Sequence, residues 1–396
     1  MKNIIKKKLK ELKLKNNFRI RRAKDSGNSH IFRYKHKNYI SFSSNDYLSL
    51  SQDKRIINSA KRALDKSGYS AGSSALISGY TKSHRKLEEE ISDFLGQEKT
   101  LLFSTGYQAN LGVIKSLINR GESIISDQLN HASLIDGAIL SRAIFKRYNH
   151  NNIKSLEEVF AKLENKNNSI IISDSLFSMD GDIANLKQLI NKAKKYNSKL
   201  LIDEAHALGV YGPEGRGVLS DLKIKDKSNV FITGTFGKAV GTFGAFFSGD
   251  TDHVEYVMQK SRSYIYSTSL PVNAVEATRK SIKIIQTENW RRYKLFSLIK
   301  YFRKNIKGLG FKVSDSNSQI QVLLIGNSED AIYISNELFK KGIYVPAIRP
   351  PTVEEGKARL RISLTVSHEE SDIDYLINIL DTISRNLVQS SHERES

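Results

Sequence analysis

Short apolar runs alternate with amphipathic stretches through the middle of the chain. NSIIISD (168–174), with the apolar triplet Ile170–Ile172 at its centre, reads as a buried strand. ANLKQLINKAKKY (184–196) reads as a helix and KLLIDEA (199–205) as a second strand. NVFITGT (229–235) predicts a third strand and GAFFSG (244–249) a fourth. Strands recur at about thirty residues, the spacing of βαβ units, so a largely parallel sheet covered by helices is expected. Chemistry in such sheets gathers at the carboxyl ends of the strands. Ser178, Asp203 and Lys238 each follow a predicted strand.

From about Val272 the texture changes. A long helical pattern over 272–310 leads to alternating stretches, QIQVLLIG and RLRISLTV, which read as a smaller α+β domain. The expected division is an N-terminal arm over 1–45 ending in the strand NYISFSS, a large domain over 46–285 and a small domain over 286–396. At the start, Ile4, Ile5, Leu9, Leu12 and Leu14 recur at the spacing of a short amphipathic surface helix, without the apolar core of a signal peptide.

Composition narrows the chemistry. No run of eighteen apolar residues occurs, so no membrane partner is expected. The absence of cysteine excludes disulfides, thiolate metal sites and a thiol nucleophile, and points to the cytoplasm. The nine histidines include no pair at i, i+4, so no metal site is expected. The net charge of +20 admits nucleic acid, a membrane surface or an acidic substrate. The basic residues are spread along the whole chain, however, with no RNP-like aromatics, zinc finger or arginine-rich arm, so no nucleic-acid partner is expected. An anionic thioester carrier remains compatible with the charge.

The tetrapeptide Asp203-Glu204-Ala205-His206 spells DEAH, the label of a helicase family. A nucleotide motor needs a glycine-rich loop followed by Lys and Ser/Thr. Gly237-Lys238 and Gly356-Lys357 both lack the earlier glycine, and each is followed by alanine, which has no hydroxyl for magnesium. A different constellation fits. Asp203 and His206 close one strand, and Lys238 follows the next in TGTFGKAVGTFGA. Lysine there suits a Schiff base with pyridoxal 5'-phosphate (PLP). A carboxylate at Asp203 suits the protonated pyridine nitrogen, His206 the phenolic oxygen, and Thr235 with the glycine-rich turn the phosphate.

The ordered set FSTGYQAN (103–110), NHAS (130–133), FSMDGD (177–182), DEAH (203–206) and TFGK (235–238) resembles the α-oxoamine synthases from about Arg19 to Ile379. SSNDYL (43–48), SGYTKSHRKLEEEISDFLG (78–96), YSTSLP (266–271) and AIRPPTVEEGKARLRISLT (347–365) add to the match. The resemblance implies PLP fold type I, similar to aspartate aminotransferase, and condensation of an amino acid with an acyl thioester with loss of carbon dioxide. It also implies a homodimer. The stretch 347–365 is most similar to members that join L-alanine to a pimeloyl thioester, pimeloyl-CoA or pimeloyl-acyl carrier protein, in biotin biosynthesis.

By that resemblance Lys238 holds PLP and moves the Cα proton, His131 stacks on the ring, and Asp203 pairs with its nitrogen. His206 and Ser178 lie on the phenolic-oxygen side, Gly106 and Tyr107 flank the cofactor, and Thr235 binds phosphate. Thr268 reaches the neighbouring subunit's cofactor, Arg349 clamps the substrate carboxylate, and Arg19, Asn45 and Thr352 line the substrate side. Three places depart from the family pattern: Ala207-Leu208-Gly209, the glycine-poor YSAGSSALISG, and Thr242-Phe243. Two alternatives stay open on sequence alone. One is a relative using glycine or serine with another acyl-CoA; the other is a non-catalytic or RNA-binding protein on this fold.

Overall fold

The apolar runs become a seven-stranded sheet in the computed structural model, which describes residues 2–27, 30–163, 168–222, 227 and 229–395. Its strands are β1 (Lys99–Phe103), β2 (Ser123–Asp127), β3 (Ile144–Tyr148), β4 (Ser169–Asp174), β5 (Lys199–Asp203), β6 (Val230–Thr235) and β7 (Ala245–Gly249). The spatial order is β1-β7-β6-β5-β4-β2-β3. Neighbours from β6 to β3 run parallel, while β7 is antiparallel to both β6 and β1. The reason is local. The connection 236–244 is shorter than the dozen or so residues a parallel crossover needs, so the chain turns straight back.

All six residues of β4 are buried, as a strand covered on both faces requires. The helix Gly106–Leu117 packs Ala109, Val113 and Ile114 into a core shared with Phe103, Ile172, Leu201 and Phe247. It begins after Thr105, whose side chain accepts the Gln108 N–H at 3.2 Å as an N-cap.

Two compact units divide the chain. The sheet belongs to the unit 48–178 plus 183–289; the other comprises 1–47, 179–182 and 290–396. The arm expected over 1–45 therefore joins the C-terminal segment in one unit. Backbone pairing explains this: Lys37–Ser41 takes Ile343–Tyr344 as a parallel neighbour, and Ser363 N–H donates to the Phe42 carbonyl at 2.7 Å. Residues 179–182 join it through Arg359, whose guanidinium meets the Met179 carbonyl at 3.0 Å and Asp180 at 2.5 Å. A second sheet in this unit runs Lys312–Val313, Ile320–Gly326, Ala358–Ser363, Ala347–Ile348. The long helical pattern after Val272 is two helices, Val272–Thr287 and Asn289–Asn305. Between them Glu288 leaves helical geometry and receives Arg55 at 2.5 Å.

Candidate active site

Parallel strands place their last residues side by side. Asp203, ending β5, sits in register with Asp174 of β4 and Thr233 of β6. The Asp203 carboxylate is buried, with Oδ1 accepting the Ala205 N–H at 2.9 Å and Oδ2 accepting Asn110 Nδ2 at 2.7 Å. Asn110 also donates to Ser133 Oγ at 2.9 Å, and its Oδ1 accepts the Thr233 hydroxyl at 2.8 Å. Ser133 Oγ lies 2.8 Å from His131 Nδ1. One amide thus ties the Asp203 carboxylate to the His131 ring.

His131 stands just before the helix Ala132–Ser141, and its backbone N–H donates to Asp174 Oδ2 at 2.7 Å. Its side chain keeps an exposed face. The desolvating protein around it, reinforced by the Lys238 cation, lowers the imidazole pKa against the opposing pull of Asp203, so the ring is neutral at neutral pH. Asp174 is fully buried and held well above the usual carboxylate range, first by burial and then by the neighbouring Asp203 charge. Lys238, Asp203, His131 and Asp174 are one electrostatic group.

Lys238 is half-buried in the tight 236–244 connection. Phe236 N–H donates to Gly244 O at 2.8 Å and Gly241 N–H to Lys238 O at 2.8 Å. Gly241, at φ 69°, lies so close to the backbone of Leu50 and Ser51 that a side chain would clash. Thr242 Oγ1 is 2.7 Å from Thr278 Oγ1, so this departure from the family pattern pins the loop to the helix Val272–Thr287. Thr235 Oγ1 donates to Gly244 O at 3.0 Å and accepts the Gly237 N–H at 3.3 Å. Gly106, first residue of its helix, lies against Thr235, where an added Cβ would be 3.6 Å from the Thr235 Cβ. A hydroxyl beside a helix N-terminus suits a phosphate.

His206 is buried in the turn after β5, and Ser178 is half-buried beyond β4. Tyr107 is half-exposed, its hydroxyl bonded to Asp136. Thr268 is exposed, its backbone bridged to Ser74. The other member of the DEAH turn is structural. Glu204 accepts the Ser175 hydroxyl at 2.7 Å and the Val218 and Leu219 N–H groups at 3.1 and 2.8 Å, and burial raises its pKa to about 7.

Four expected substrate residues fall in the other unit. Arg19 donates to Thr352 Oγ1 at 3.1 Å, and Arg349 donates to the Asn16 carbonyl. Arg19 and Arg349 line a cleft of ≈ 500 Å³ with Lys13, Arg22, Phe18 and Ile348, and among the described residues no acidic side chain lines it. Burial, then the nearby Arg19 cation, disfavours the charge on Arg349, so an anion there is stabilised. Asn45 accepts the Tyr47 hydroxyl at 3.0 Å and Arg361 at 3.2 Å.

A lysine amine, a buried carboxylate, a neutral imidazole with an exposed face, and a hydroxyl at a helix start form a donor set for a phosphorylated pyridine aldehyde. Asn110 and Ser133 stood inside the quoted motifs FSTGYQAN and NHAS, but their role depends on pairings across the sheet. Asp174 ended a predicted strand without any signal of its own.

The chain belongs to the aminotransferase class I and II family, whose pattern matches residues 37–380. Within it, the chain belongs with the α-oxoamine synthases. It is 42% identical to 8-amino-7-oxononanoate synthase of Saccharophagus degradans over 349 residues, 88% of each chain. It is likewise 42% identical to that of Methylococcus capsulatus over 341 residues, 86% of this chain and 88% of the relative. Serine palmitoyltransferase from S. paucimobilis, solved with a bound PLP-myriocin aldimine, superposes with a TM-score of 0.91 at 29% identity, covering 96% of this chain and 97% of that one. The 8-amino-7-oxononanoate synthase of Francisella tularensis gives 0.78 at 30% identity, covering 88% and 99%.

Proposed function

We propose that the protein is a PLP-dependent acyltransferase that condenses L-alanine with a pimeloyl thioester. The products are 8-amino-7-oxononanoate, carbon dioxide and the free thiol, a step of biotin biosynthesis. The observation that carries this is the 42% identity to two curated synthases of that name across most of both chains, on a chain that gathers Lys238, Asp203 and His131. Backbone likeness to the serine enzyme is high, but identity to it is only 29%.

Bound PLP supplies an aldehyde that captures the amino group and a ring that accepts the electron pair released at the substrate Cα. The protein's own groups do the rest. Lys238 holds the cofactor and carries the proton to and from Cα. Asp203, fixed by Asn110 and Ala205, keeps the pyridine nitrogen protonated. Neutral His131 offers its open face to the ring. His206 and Ser178 serve the phenolic-oxygen side, while Thr235 with the Gly106–Tyr107 helix start takes the phosphate. Arg349 binds the alanine carboxylate, and Arg19, Asn45 and Thr352 line the substrate side. A new carbon–carbon bond replaces the thioester C–S bond, and the alanine carboxylate leaves as carbon dioxide.

The reading includes a cytoplasmic homodimer. Thr268 is exposed beside Leu76, Ile77 and Tyr266, which are 45%, 80% and 71% exposed. Such an apolar surface supports covering by a second copy. The deciding experiment is product mass analysis across a matrix of amino acids and acyl thioesters. L-alanine with pimeloyl thioester is expected to lead, over glycine by roughly tens-fold to a couple of hundred-fold, since a methyl group in a pocket discriminates only that far. Glycine with acetyl- or succinyl-CoA, or serine with palmitoyl-CoA, leading instead would overturn the assignment.

A further inference from the structure

The N-terminal helix Lys2–Leu14 is exposed all round: every side chain from Asn3 to Lys15 faces solvent, including Ile5, Leu9 and Leu12 at 54%, 43% and 42%. Those three stand at i, i+4 and i+7 and form one narrow seam. Helical geometry puts Lys6 and Lys13 along one side of the seam and Lys8 along the other. The helix carries six lysines and a single acidic residue, Glu11. A thirteen-residue helix with no packed face is marginal in water, so its order calls for a partner. The helix also ends at a functional place. Lys13 lines the cationic cleft that holds Arg19 and Arg349, and the Asn16 carbonyl is bonded by Arg349 itself.

We propose that this helix is a docking surface for a small acidic carrier protein that brings the acyl group as a thioester, the carrier sitting on the lysine-flanked seam while its acyl arm enters the adjoining cleft. The proposal rests on the thioester-condensing function given above. Charge selects this occupant. A second copy of the helix would set six lysines against six, with one glutamate on each side. A lipid surface calls for a broad apolar face with aromatic anchors; here the seam is one residue wide and three aliphatic residues long, and the helix has no aromatic residue. A free coenzyme donor needs cations only at its phosphates, whereas a helix-long basic face matches a protein. An acidic carrier answers both the lysines and the seam.

The test compares full-length, PLP-loaded wild type with Lys6→Glu/Lys8→Glu/Lys10→Glu and with Leu9→Ser/Leu12→Ser. Three measurements are made at low ionic strength: affinity for fluorescently labelled holo-acyl carrier protein, and KM for pimeloyl-acyl carrier protein and for pimeloyl-CoA. The charge-reversal variant is expected to lose roughly tenfold to a hundredfold in carrier affinity and to raise the carrier-donor KM in step. Its kcat, and its kinetics with pimeloyl-CoA, are expected to match wild type. The serine variant should weaken carrier binding with little change in its salt dependence. Equal effects on both donors, no effect on either, a change confined to binding of anionic vesicles, or dissociation of the oligomer would each overturn the proposal. If neither donor yields 8-amino-7-oxononanoate, the functional reading falls, while the labelled-carrier titration still decides the surface.

Discussion

Asn110 holds Asp203: its Nδ2 donates to the buried Oδ2 at 2.7 Å while the same amide reaches Ser133 and receives Thr233. Asn110→Ala removes a charge-assisted bond and strands three polar partners. Activity with L-alanine should fall about 10- to 150-fold, the equivalent of the roughly 1.5–3 kcal/mol such bonds are worth. Exchange of the alanine Cα hydrogen with solvent should fall by a similar factor, with little change in alanine KM. Exchange at the wild-type rate would remove Asn110 from the positioning of Asp203.

Lys238→Ala should fold and lose essentially all turnover, because the proposed mechanism has this one amine both hold the cofactor and move the proton. Borohydride reduction followed by intact-mass measurement should show one cofactor added to wild type and none to the variant. A variant that still turns over would sink the assignment of Lys238.

His368 is buried as a neutral ring: Thr365 N–H donates to Nδ1 at 3.0 Å, so Nε2–H donates to the Ser41 carbonyl at 3.2 Å. Burial, then His30, pushes its pKa down to about 3. The unfolded chain takes up this proton near pH 6.5 and the folded one does not, so the contribution is complete above about pH 6.5 and is lost on acidification towards pH 3. The limiting slope is ~1.4 kcal/mol per pH unit. Urea midpoints measured at neutral and mildly acid pH should show a shallower acid loss in His368→Gln than in wild type. Parallel curves would refute the role.

Gly181 has φ 76°, and a Cβ there would lie 2.3 Å from the Ile320 carbonyl and 2.6 Å from Ser316 Oγ. Gly181→Ala should therefore cost at least about 2 kcal/mol, combining the left-handed penalty with a steric clash. Denaturant unfolding checks this, and an unchanged midpoint would count against it.

The sequence by itself carried the strands of the parallel sheet, because a strand buried on both faces needs consecutive apolar residues at its centre, as the three isoleucines of SIIISD supply. It also carried the candidate reactive residues, since Lys238, Asp203 and His131 sit in short motifs whose spacing survives without coordinates. The tertiary structure decided what depends on pairing between distant segments. The direction of β7 followed from a connection too short to cross over. The N-terminal arm and the C-terminal segment became one unit because strand 343–344 finds its hydrogen bonds on strand 37–41. Asn110 became the link between Asp203 and His131 only when a helix and two strands met, and no local pattern in FSTGYQAN encodes that meeting. Local propensity and periodicity are written along the chain; hydrogen-bond partners hundreds of residues apart are chosen by packing.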